Sequence, residues 1–363
     1  MATQVTNYQC PNCTGPLRFD GGLGQLVCDY CNTQYAVEVI EQLYADKEQA
    51  AAAAGVEPQW DLSMAGGEWS EEEAANMRGY ICPSCAAEII CDASTAATSC
   101  PYCGNPTVVP GQFTGHLRPD FVIPFRLDKN YAIEALKKHY KGKKFLPDCF
   151  ADSNQIDKIK GIYVPFWLFD GESYANMRFR GTVVRTYRRG DYNITETNHY
   201  RVSREGNVAF EKVPVDGSTK MPDAHMDSLE PFGYNELVPF STAYLPGFLA
   251  DKYDVDSETC GKRANARIKA STEKAFASTT AGYTTLVPEY SVFNLTKGDV
   301  KYALLPVWML YTKYQGNDYL FAMNGQTGKL IGDLPVDKGK YWKWFAILSA
   351  PLAAVLALIM FLI

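Results

Sequence analysis

The sequence of 363 residues predicts an α+β protein with two small cysteine-rich modules near its N-terminus and one transmembrane helix at its C-terminal end. Three observations support this fold class. Paired Cys-x-x-Cys motifs occur in two sets before residue 104, helical and strand patterns alternate through the centre, and the last nineteen residues carry no charge.

The cysteine spacing predicts two metal sites. In each set, fourteen residues separate two Cys-x-x-Cys pairs. Two such turns direct four thiolates at one tetrahedral ion, and an all-sulfur donor set suits Zn2+. The ligand sets are Cys10, Cys13, Cys28 and Cys31 in the first ribbon, and Cys82, Cys85, Cys100 and Cys103 in the second ribbon. Four thiolates close the coordination shell, so both ions are expected to be structural rather than catalytic.

Two other uses of these cysteines are less favoured. A disulfide framework needs an oxidising compartment, and the N-terminal residues lack the apolar segment of a secretory signal. A redox motif would not repeat four times at this spacing. The remaining Cys91, Cys149 and Cys260 are interpreted as buried small apolar side chains, with Cys91 as a less favoured substitute ligand.

The C-terminal segment from residue 345 to residue 363 predicts a transmembrane helix. Nineteen uncharged residues reach roughly the ~30 Å thickness of the hydrocarbon core. Lys338, Lys340 and Lys343 alternate with aromatic residues just before it, as in a membrane interface, which disfavours a buried core helix. The positive-inside rule then places the N-terminal domains in the cytoplasm and the protein in the cell membrane.

Charge argues against nucleic-acid binding by the ribbons. Residues 1–115 carry three basic and fourteen acidic side chains, a net charge of −11, whereas phosphate binding requires clustered Lys and Arg. The one basic cluster is Lys137, Lys138, Lys141, Lys143 and Lys144. We interpret it as a solvated helix face, with contact to anionic lipid headgroups as the alternative.

The central region alternates helical and strand patterns. Helices are predicted over 128–144 and 257–279, and Ser70 with Glu73 forms the capping box of a short helix. Strands are predicted over 161–171, 174–189, 193–204, 283–296, 300–315 and 318–332, with an irregular stretch over 213–246. Asn324-Gly325 predicts a tight hairpin turn.

Two proline-containing segments indicate an internal repeat. Residues 164–169 read VPFWLF and residues 305–310 read LPVWML, so we expect a duplicated unit of one helix followed by antiparallel strands. Pro165 and Pro306 predict edge strands or bulges, and Trp167 and Trp308 are expected in the core.

These patterns define six predicted domains. They are the first ribbon at 1–37, a helical spacer at 38–78, the second ribbon at 79–115, α+β repeats at 116–246 and 247–337, and a basic-aromatic flank with the transmembrane helix at 338–363. We expect the ribbons to be separate modules. Substitution of Cys10 and Cys82 should then unfold the ribbons and leave the anchored body folded.

The sequence contains no catalytic or nucleotide-binding motif. Residues 325–329 read GQTGK, but Met323 and Leu330 stand where a P-loop needs Gly and Ser or Thr. Asp223, His225 and Asp227 form the one dense polar cluster, which we interpret as a surface loop. The protein is therefore expected not to be an enzyme and to have no catalytic or cofactor-binding residues.

The paired ribbons, the YVPFWLFDG block at 163–171 and the LLPVWMLYTKYQGNDYLFAMNGQTGKLIGDLP block before the final helix resemble the bacterial TFIIB-type zinc-ribbon membrane proteins. Members of that family are often labelled helicase- or primosome-like, although this chain lacks helicase motifs. The resemblance implies that the eight ribbon cysteines bind zinc. It also implies partners among SPFH-type and phage-shock, ESCRT-III-like membrane proteins, and a role in membrane stress.

We therefore expect a membrane-anchored adaptor or scaffold that faces the cytoplasm and binds other proteins at the membrane. Membrane-associated nucleic-acid binding is the alternative, which would require a basic face assembled only in three dimensions. An enzyme with a pocket between the two repeats is a third possibility, which would require a concave site with perturbed titratable groups.

Overall fold

A computed structural model describes residues 8–12, 15–53, 60–63, 65–95, 97, 99–106, 108–111 and 117–362, without the side chains of 46–53, 296–297, 357–358 and 362. The chain forms two compact units, each assembled from separate segments. The first unit comprises Met1–Gln59, Gly171–Ala209 and Arg267–Lys297, and the second comprises Trp60–Asp170, Phe210–Ala266 and Gly298–Ile363.

The fold mixes helices and sheets, as predicted. The helices are α1 (Val37–Ala53), α2 (Glu71–Ala75), α3 (Lys129–Tyr140), α4 (Ser153–Ile156), α5 (Asp223–Leu229), α6 (Ser257–Ser278) and α7 (Lys338–Leu362), with 3-10 turns at Asp148–Phe150, Tyr234–Glu236 and Thr242–Tyr244. The strands are β1 (Leu17–Asp20), β2 (Gln25–Cys28), β3 (Gln34–Tyr35), β4 (Met77–Ile81), β5 (Glu88–Asp92), β6 (Val109–Gly111), β7 (Phe121–Val122), β8 (Lys160–Arg189), β9 (Tyr192–Asp216), β10 (Val238–Pro239), β11 (Leu249–Asp251), β12 (Thr285–Tyr314), β13 (Asn317–Asn324) and β14 (Leu330–Gly332).

The first unit contains the first ribbon and the outer parts of the long strands. Strands β1, β2 and β3 form an antiparallel sheet, and α1 packs on it through a small core of Leu26, Ile40 and Leu43. The predicted spacer helix is therefore part of the ribbon's own support. A second core joins Met177 and Phe179 of β8 to Phe276 of α6.

The second unit is built on one sheet with the strand order β10-β7-β12-β8-β11-β5-β4-β6, with β13 and β14 attached beyond β12. Its main core includes Ile162, Val164, Phe166 and Leu168 of β8, and Leu305 of β12. Trp308 and Leu310 of β12 belong to a second cluster, which also contains Met323 of β13. This cluster packs against α3 through Ala132 and Leu136.

Two predicted strand breaks are absent. The predicted strands at 161–171 and 174–189 form the single strand β8, and those at 283–296 and 300–315 form β12. Asp170 does not close a turn, because its carboxylate accepts the backbone N–H of Lys212 on β9, whose φ is 53°. The carbonyl of Gly298 likewise accepts the N–H of Asp61, so the extended backbone continues.

Three further local predictions are wrong. Asn324 does not open a two-residue turn: its carbonyl accepts the N–H of Gly328, its N–H donates to Lys329, and β14 begins at residue 330. The edge-strand alternative for Pro165 and Pro306 is wrong, because β8 and β12 each have neighbours on both sides, whereas the bulge alternative stays a prediction. The segment 213–246 is not irregular throughout, since it contains the end of β9, α5, two 3-10 turns and β10.

Other local predictions are confirmed. The Ser70–Glu73 capping box forms, with Glu73 N–H donating to Ser70 Oγ at 3.2 Å. Trp167 and Trp308 are both buried. Each indole N–H donates to a backbone carbonyl at 2.9 Å, that of Val255 for Trp167 and that of Leu127 for Trp308.

The second ribbon is not a separate module. Its strand β5 pairs with β11 through Ile90 and Ala250, so the ribbon continues the main sheet of the second unit. The predicted ligands Cys82 and Cys100 belong to the same hydrophobic core as Phe166 of β8. The second ribbon is therefore stabilised by this shared core as well as by any metal. The local cysteine spacing could not predict the shared core.

The C-terminal helix α7 begins against the second unit. Asp337 caps it by accepting the N–H groups of Gly339 and Lys340 at 2.8 and 3.0 Å. Within Lys338–Phe361, an 18-residue apolar window has a mean hydropathy of 2.3, and none of that window is buried. Among the described residues, this is one helix long and apolar enough to cross a membrane, which makes the protein a candidate single-span membrane protein.

Candidate metal centres

Each described Cys-x-x-Cys turn has the same backbone geometry. The N–H of the first cysteine donates to the carbonyl five residues later, as in Cys82 to Ala87 at 3.0 Å and Cys100 to Asn105 at 2.9 Å. The residue after the second cysteine has a positive φ: 56° at Asn32, 55° at Ala86 and 69° at Gly104. These turns place both sulfurs of a pair on one side of the backbone.

The second cluster brings together the four cysteines that the sequence predicted. The sulfurs of Cys82 and Cys103 lie 3.6 Å apart, as do those of Cys85 and Cys100, and all four lie within 4.8 Å of one another. A disulfide needs about 2.05 Å. Four thiolates around a tetrahedral ion at about 2.3 Å are separated by about 3.8 Å, so the geometry matches a metal site.

The local electrostatics of this cluster favour thiolates at some positions and oppose them at others. Burial opposes ionisation of Cys82, but the backbone N–H groups of Cys85 and Ser84 point at its sulfur and lower the pKa of the thiol to about 7. Burial raises the pKa of Cys85 to about 11 and also raises that of Cys100. A bound cation would compensate for the repulsion among these four sulfurs.

Strand β12 packs against the last turn of the second ribbon. A Cβ atom on Gly104 would lie 2.4 Å from the ring of Tyr311 on β12, so only glycine allows the ring to pack there. The amide of Gln155 donates to the carbonyl of Tyr311 at 2.8 Å. The turn at Cys100 and Cys103 therefore packs on a strand that also forms the core.

The first cluster is described for three of its four predicted ligands. The sulfurs of Cys10, Cys28 and Cys31 lie within 4.8 Å of one another, and those of Cys10 and Cys31 are 3.6 Å apart. Cys13 lies outside the described residues. The hydroxyl of Tyr35 is 3.5 Å from the sulfur of Cys10, and burial followed by this contact raises the pKa of Tyr35.

The three remaining cysteines differ from one another. Cys91 and Cys260 are buried, as predicted. Cys91 donates to the carbonyl of Thr95 at 3.1 Å and is not among the four clustered thiols. The prediction for Cys149 is wrong, because its side chain is exposed in the middle of the 3-10 turn Asp148–Phe150.

A polar network in the second unit joins residues that no sequence motif connects. Asp223 and Asp227 lie on the short helix α5, not in a loop, and both pair with Arg263 of α6 at 3.0 and 2.9 Å. Arg263 also donates to the buried Asp216 at 2.8 Å. Asp216 and Arg263 are 47 residues apart, so no local spacing could have connected them.

A second buried carboxylate lies near the second ribbon. Asp251 of β11 accepts hydrogen bonds from Tyr102 at 2.6 Å and Ser218 at 2.7 Å. Its other oxygen has no partner among the described residues. Burial raises the pKa of Asp251 to about 7. A lone aspartate at the end of a short strand gives no sequence signal for this environment.

The fold and the two cysteine clusters define a mixed helix-and-sheet protein with metal-binding geometry and one candidate membrane helix. The chain belongs to the same family as the uncharacterized protein YdjG of Bacillus subtilis (strain 168). The two are 36% identical over 342 residues, which cover 94% of each chain. No family model matches the chain, and no solved structure matches it.

Proposed function

We propose that this protein is a zinc-containing adaptor anchored in the cell membrane, with its N-terminal domains in the cytoplasm. The observation that carries the proposal is the exposed apolar surface of the first ribbon. Phe19 and Leu23, on the β1–β2 hairpin, are 56% and 55% exposed, and Tyr30 is more exposed still. Exposed aromatic side chains on a small rigid module are typical of protein-binding surfaces.

The charge around this surface indicates the kind of partner. Residues 1–59 carry two basic and seven acidic side chains, and Asp20 and Asp29 lie beside the exposed apolar groups in the sequence. A partner segment with apolar anchors and a basic rim would complement this surface. The resemblance to TFIIB-type zinc-ribbon membrane proteins suggests SPFH-type or phage-shock, ESCRT-III-like proteins as partners.

Zinc is the metal that best fits the proposed ligand sets. All eight predicted ligands are thiolates, and a tetrahedral four-sulfur set is typical of structural Zn2+. The cytoplasmic orientation keeps these thiols reduced. The lysines that precede the uncharged part of α7 favour the same orientation, by the positive-inside rule. We also propose that the protein acts by binding rather than by catalysis.

We propose that the two proline-containing strands descend from a duplicated unit. The carbonyl of Pro165 accepts the N–H of Gly217, and the carbonyl of Pro306 accepts the N–H of Gly325. Each motif also places a buried tryptophan two residues later. These equivalent hydrogen bonds support the duplication. The domain bounds drawn from the sequence stay a prediction.

The adaptor function is tested by comparing two matched surfaces. The full chain would be purified from nuclease-treated membranes as wild type, as Phe19→Ser with Leu23→Ser, and as Val184→Ser with Tyr187→Ser on the exposed β8–β9 hairpin. Co-purifying proteins would be identified, and the affinity of a purified candidate would be measured. We expect loss of binding in the first double variant alone. Equal retention in all three would reject the docking surface.

Nucleic-acid binding is a second candidate because one segment of the first unit is rich in arginine. Residues 171–209 contain seven arginines and four acidic residues. Arg178 and Arg201 are close enough that, after burial, Arg201 further lowers the pKa of Arg178. Arg178 also lies 5.3 Å from the ring centroid of Tyr290. Such an arrangement of arginine and aromatic groups can hold a single strand.

This alternative makes a distinct prediction about salt. If it holds, a fluorescent single-stranded oligonucleotide should bind the full chain, with affinity that falls steeply with salt and decreases in Arg178→Gln with Arg201→Gln. The Phe19→Ser and Leu23→Ser variant should bind the oligonucleotide like wild type. Absence of salt-dependent binding would leave the adaptor proposal as the one to pursue.

A further inference from the structure

An open cleft of about 360 Å3 lies in the second unit at the start of α7. Two short segments line it, residues 142–146 after α3 and residues 334–336 before α7. The first segment supplies Lys143 and Lys144. The second supplies apolar surface, with Val336 57% exposed. The cleft therefore joins two ammonium groups to an apolar wall.

Direct contacts hold this cleft against the base of the C-terminal helix. The N–H of Asp337 donates to the carbonyl of Phe145 at 2.8 Å, and the ammonium of Lys340 donates to the carbonyl of Leu146 at 2.7 Å. The ring of Phe145 packs 5.8 Å from that of Tyr341. The position of the cleft relative to the first turns of α7 is thus defined by the fold.

Neither lysine that lines the cleft has an anionic partner among the described residues. Asp148 pairs with Lys340 at 2.5 Å, and Asp337 accepts two N–H groups at the start of α7. The Lys144 ammonium lies 4.3 Å from the ring centroid of Trp344, and the Lys143 ammonium is 3.3 Å from His139. Neither contact neutralises the lysine charge, because a tryptophan ring and a histidine ring are not anions.

We propose that this cleft binds the phosphate headgroup of an anionic phospholipid. Lys143 and Lys144 supply the positive charge, and the apolar wall contacts the upper part of the acyl chains. The proposal rests on the membrane anchoring of α7 stated above. The proposal assigns the two interpretations of the basic cluster to different lysines. Lys143 and Lys144 contact lipid headgroups, whereas Lys137 and Lys138 on α3 lie on a solvated helix face.

The cleft lies where α7 would enter the membrane, so a lipid fits it better than a soluble phosphate compound does. The uncharged part of α7 begins at Phe345, one residue after the tryptophan that contacts Lys144. Phe145 and Val336 expose apolar side chains in the cleft, and Trp342 exposes its ring at the start of α7. Exposed aromatic and lysine side chains at the end of a membrane helix are typical of the headgroup region. A soluble phosphate compound would leave this apolar surface in water.

Energy transfer from tryptophan to a tail-labelled phosphatidylglycerol tests the proposal. The full zinc-loaded chain would be reconstituted into phosphatidylcholine nanodiscs that contain a trace of the labelled lipid, with labelled phosphatidylcholine as the reference. We expect wild type to favour the anionic lipid. Lys143→Gln with Lys144→Gln should reduce that preference roughly tenfold or more, since each lysine near a membrane surface contributes about fivefold. Lys137→Gln with Lys138→Gln should change it less than twofold.

Three results would overturn the proposal. They are equal transfer to both labelled lipids in wild type, an equal loss in the two double variants, and displacement of the labelled lipid by excess glycerol phosphate, which would indicate a site for soluble phosphate. Alkaline carbonate extraction of cell membranes separates this failure from failure of the anchor. A chain that resists extraction but lacks lipid preference retains its anchor and loses only the lipid site.

Discussion

The sulfur of Cys82 lies 3.6 Å from that of Cys103, and both cysteines belong to the sheet-bearing second unit. Cys82 follows β4 directly and is part of the core that contains Phe166 of β8. Loss of a ligand at this position should therefore affect more than the ribbon. The expectation that the ribbons unfold alone holds at most for the first ribbon, whose own core is the small cluster around Ile40.

The first prediction compares ligand substitutions in the two clusters. Cys82→Ser should remove one bound zinc and expose amides of β8 around residues 162–168, because the ribbon and the strand share a core. Cys28→Ser should also remove one zinc but leave those amides protected. Metal content by elemental mass spectrometry and hydrogen exchange of the full chain in detergent would measure both effects. Cys91→Ser serves as a control that should retain both ions.

Unchanged protection of residues 162–168 in Cys82→Ser would mean that the second ribbon folds independently despite its pairing with β11. Retention of both metal ions in Cys82→Ser and Cys28→Ser would contradict the ligand assignment itself.

The second prediction concerns Ala86, which has a φ of 55° after the second cysteine of its turn. A Cβ atom makes this left-handed conformation cost roughly 1 kcal/mol relative to glycine. Ala86→Gly should therefore raise the stability of the metal-bound second unit by about 0.5–1 kcal/mol in chemical unfolding. Asn32→Gly, which follows the second cysteine of a turn in the first ribbon, should gain less, because asparagine tolerates this conformation. A loss of stability in Ala86→Gly would show that the Ala86 side chain makes a needed contact.

The third prediction concerns the pH dependence of stability through Asp251. The pKa of this buried carboxyl is about 7, above its usual value of 3.8, so the folded chain keeps a proton that the unfolded chain releases between these two pH values. Stability from this group is therefore greatest at low pH and is lost as pH rises toward 7. Asp216, with a pKa of about 6 because burial outweighs its contact with Arg263, acts in the same direction.

Asp251→Asn isolates the Asp251 contribution. The amide stays neutral, so the variant should lose less stability than wild type when pH rises from about 5 to about 8. Chemical unfolding across this range would measure the difference between the two curves, which cancels any effect of pH on metal binding that both proteins share. Parallel curves for wild type and Asp251→Asn would mean that the carboxyl does not change its protonation on folding.

The cysteine clusters were predictable because their information is local. A Cys-x-x-Cys turn determines its own geometry. The helix predicted over 128–144 is also local: it forms as α3, capped by Asp128, which accepts the N–H of Tyr131 at 2.8 Å, but it ends at Tyr140. The integration of the second ribbon was not predictable, since it depends on β11 pairing with β5 some 160 residues earlier in the chain. Long-range pairing leaves no periodic signal in either strand.

The predicted breaks in β8 and β12 were wrong for a related reason. Asp and Gly are turn residues by local statistics, but Asp170 bonds to the backbone of Lys212 on the neighbouring strand. The same limit applies to α5, where the pattern of Asp223 and Asp227 suggested a loop. Their pairing with Arg263 depends on α6, a helix that begins 28 residues after α5 ends (257 − 229).

The last prediction tests this network through Arg263. Its guanidinium contacts Asp216, whose side chain is 1% exposed, and removal of one member of a buried ion pair typically costs about 3–5 kcal/mol. Arg263 is about one-third exposed, so we expect the lower part of that range for Arg263→Met. The neighbouring Lys262→Met, at an exposed position, should change stability by less than about 0.5 kcal/mol.

The double variant Arg263→Met with Asp216→Asn separates charge from packing. If the cost of Arg263→Met comes from the uncompensated charge of Asp216, neutralising that charge should restore a large part of the lost stability. Chemical unfolding of the four proteins in the same detergent, at a pH of about 8 where Asp216 is ionised, would measure the coupling. Additive losses would instead indicate that Arg263 stabilises the second unit by packing α6 against α5 and not through its charge.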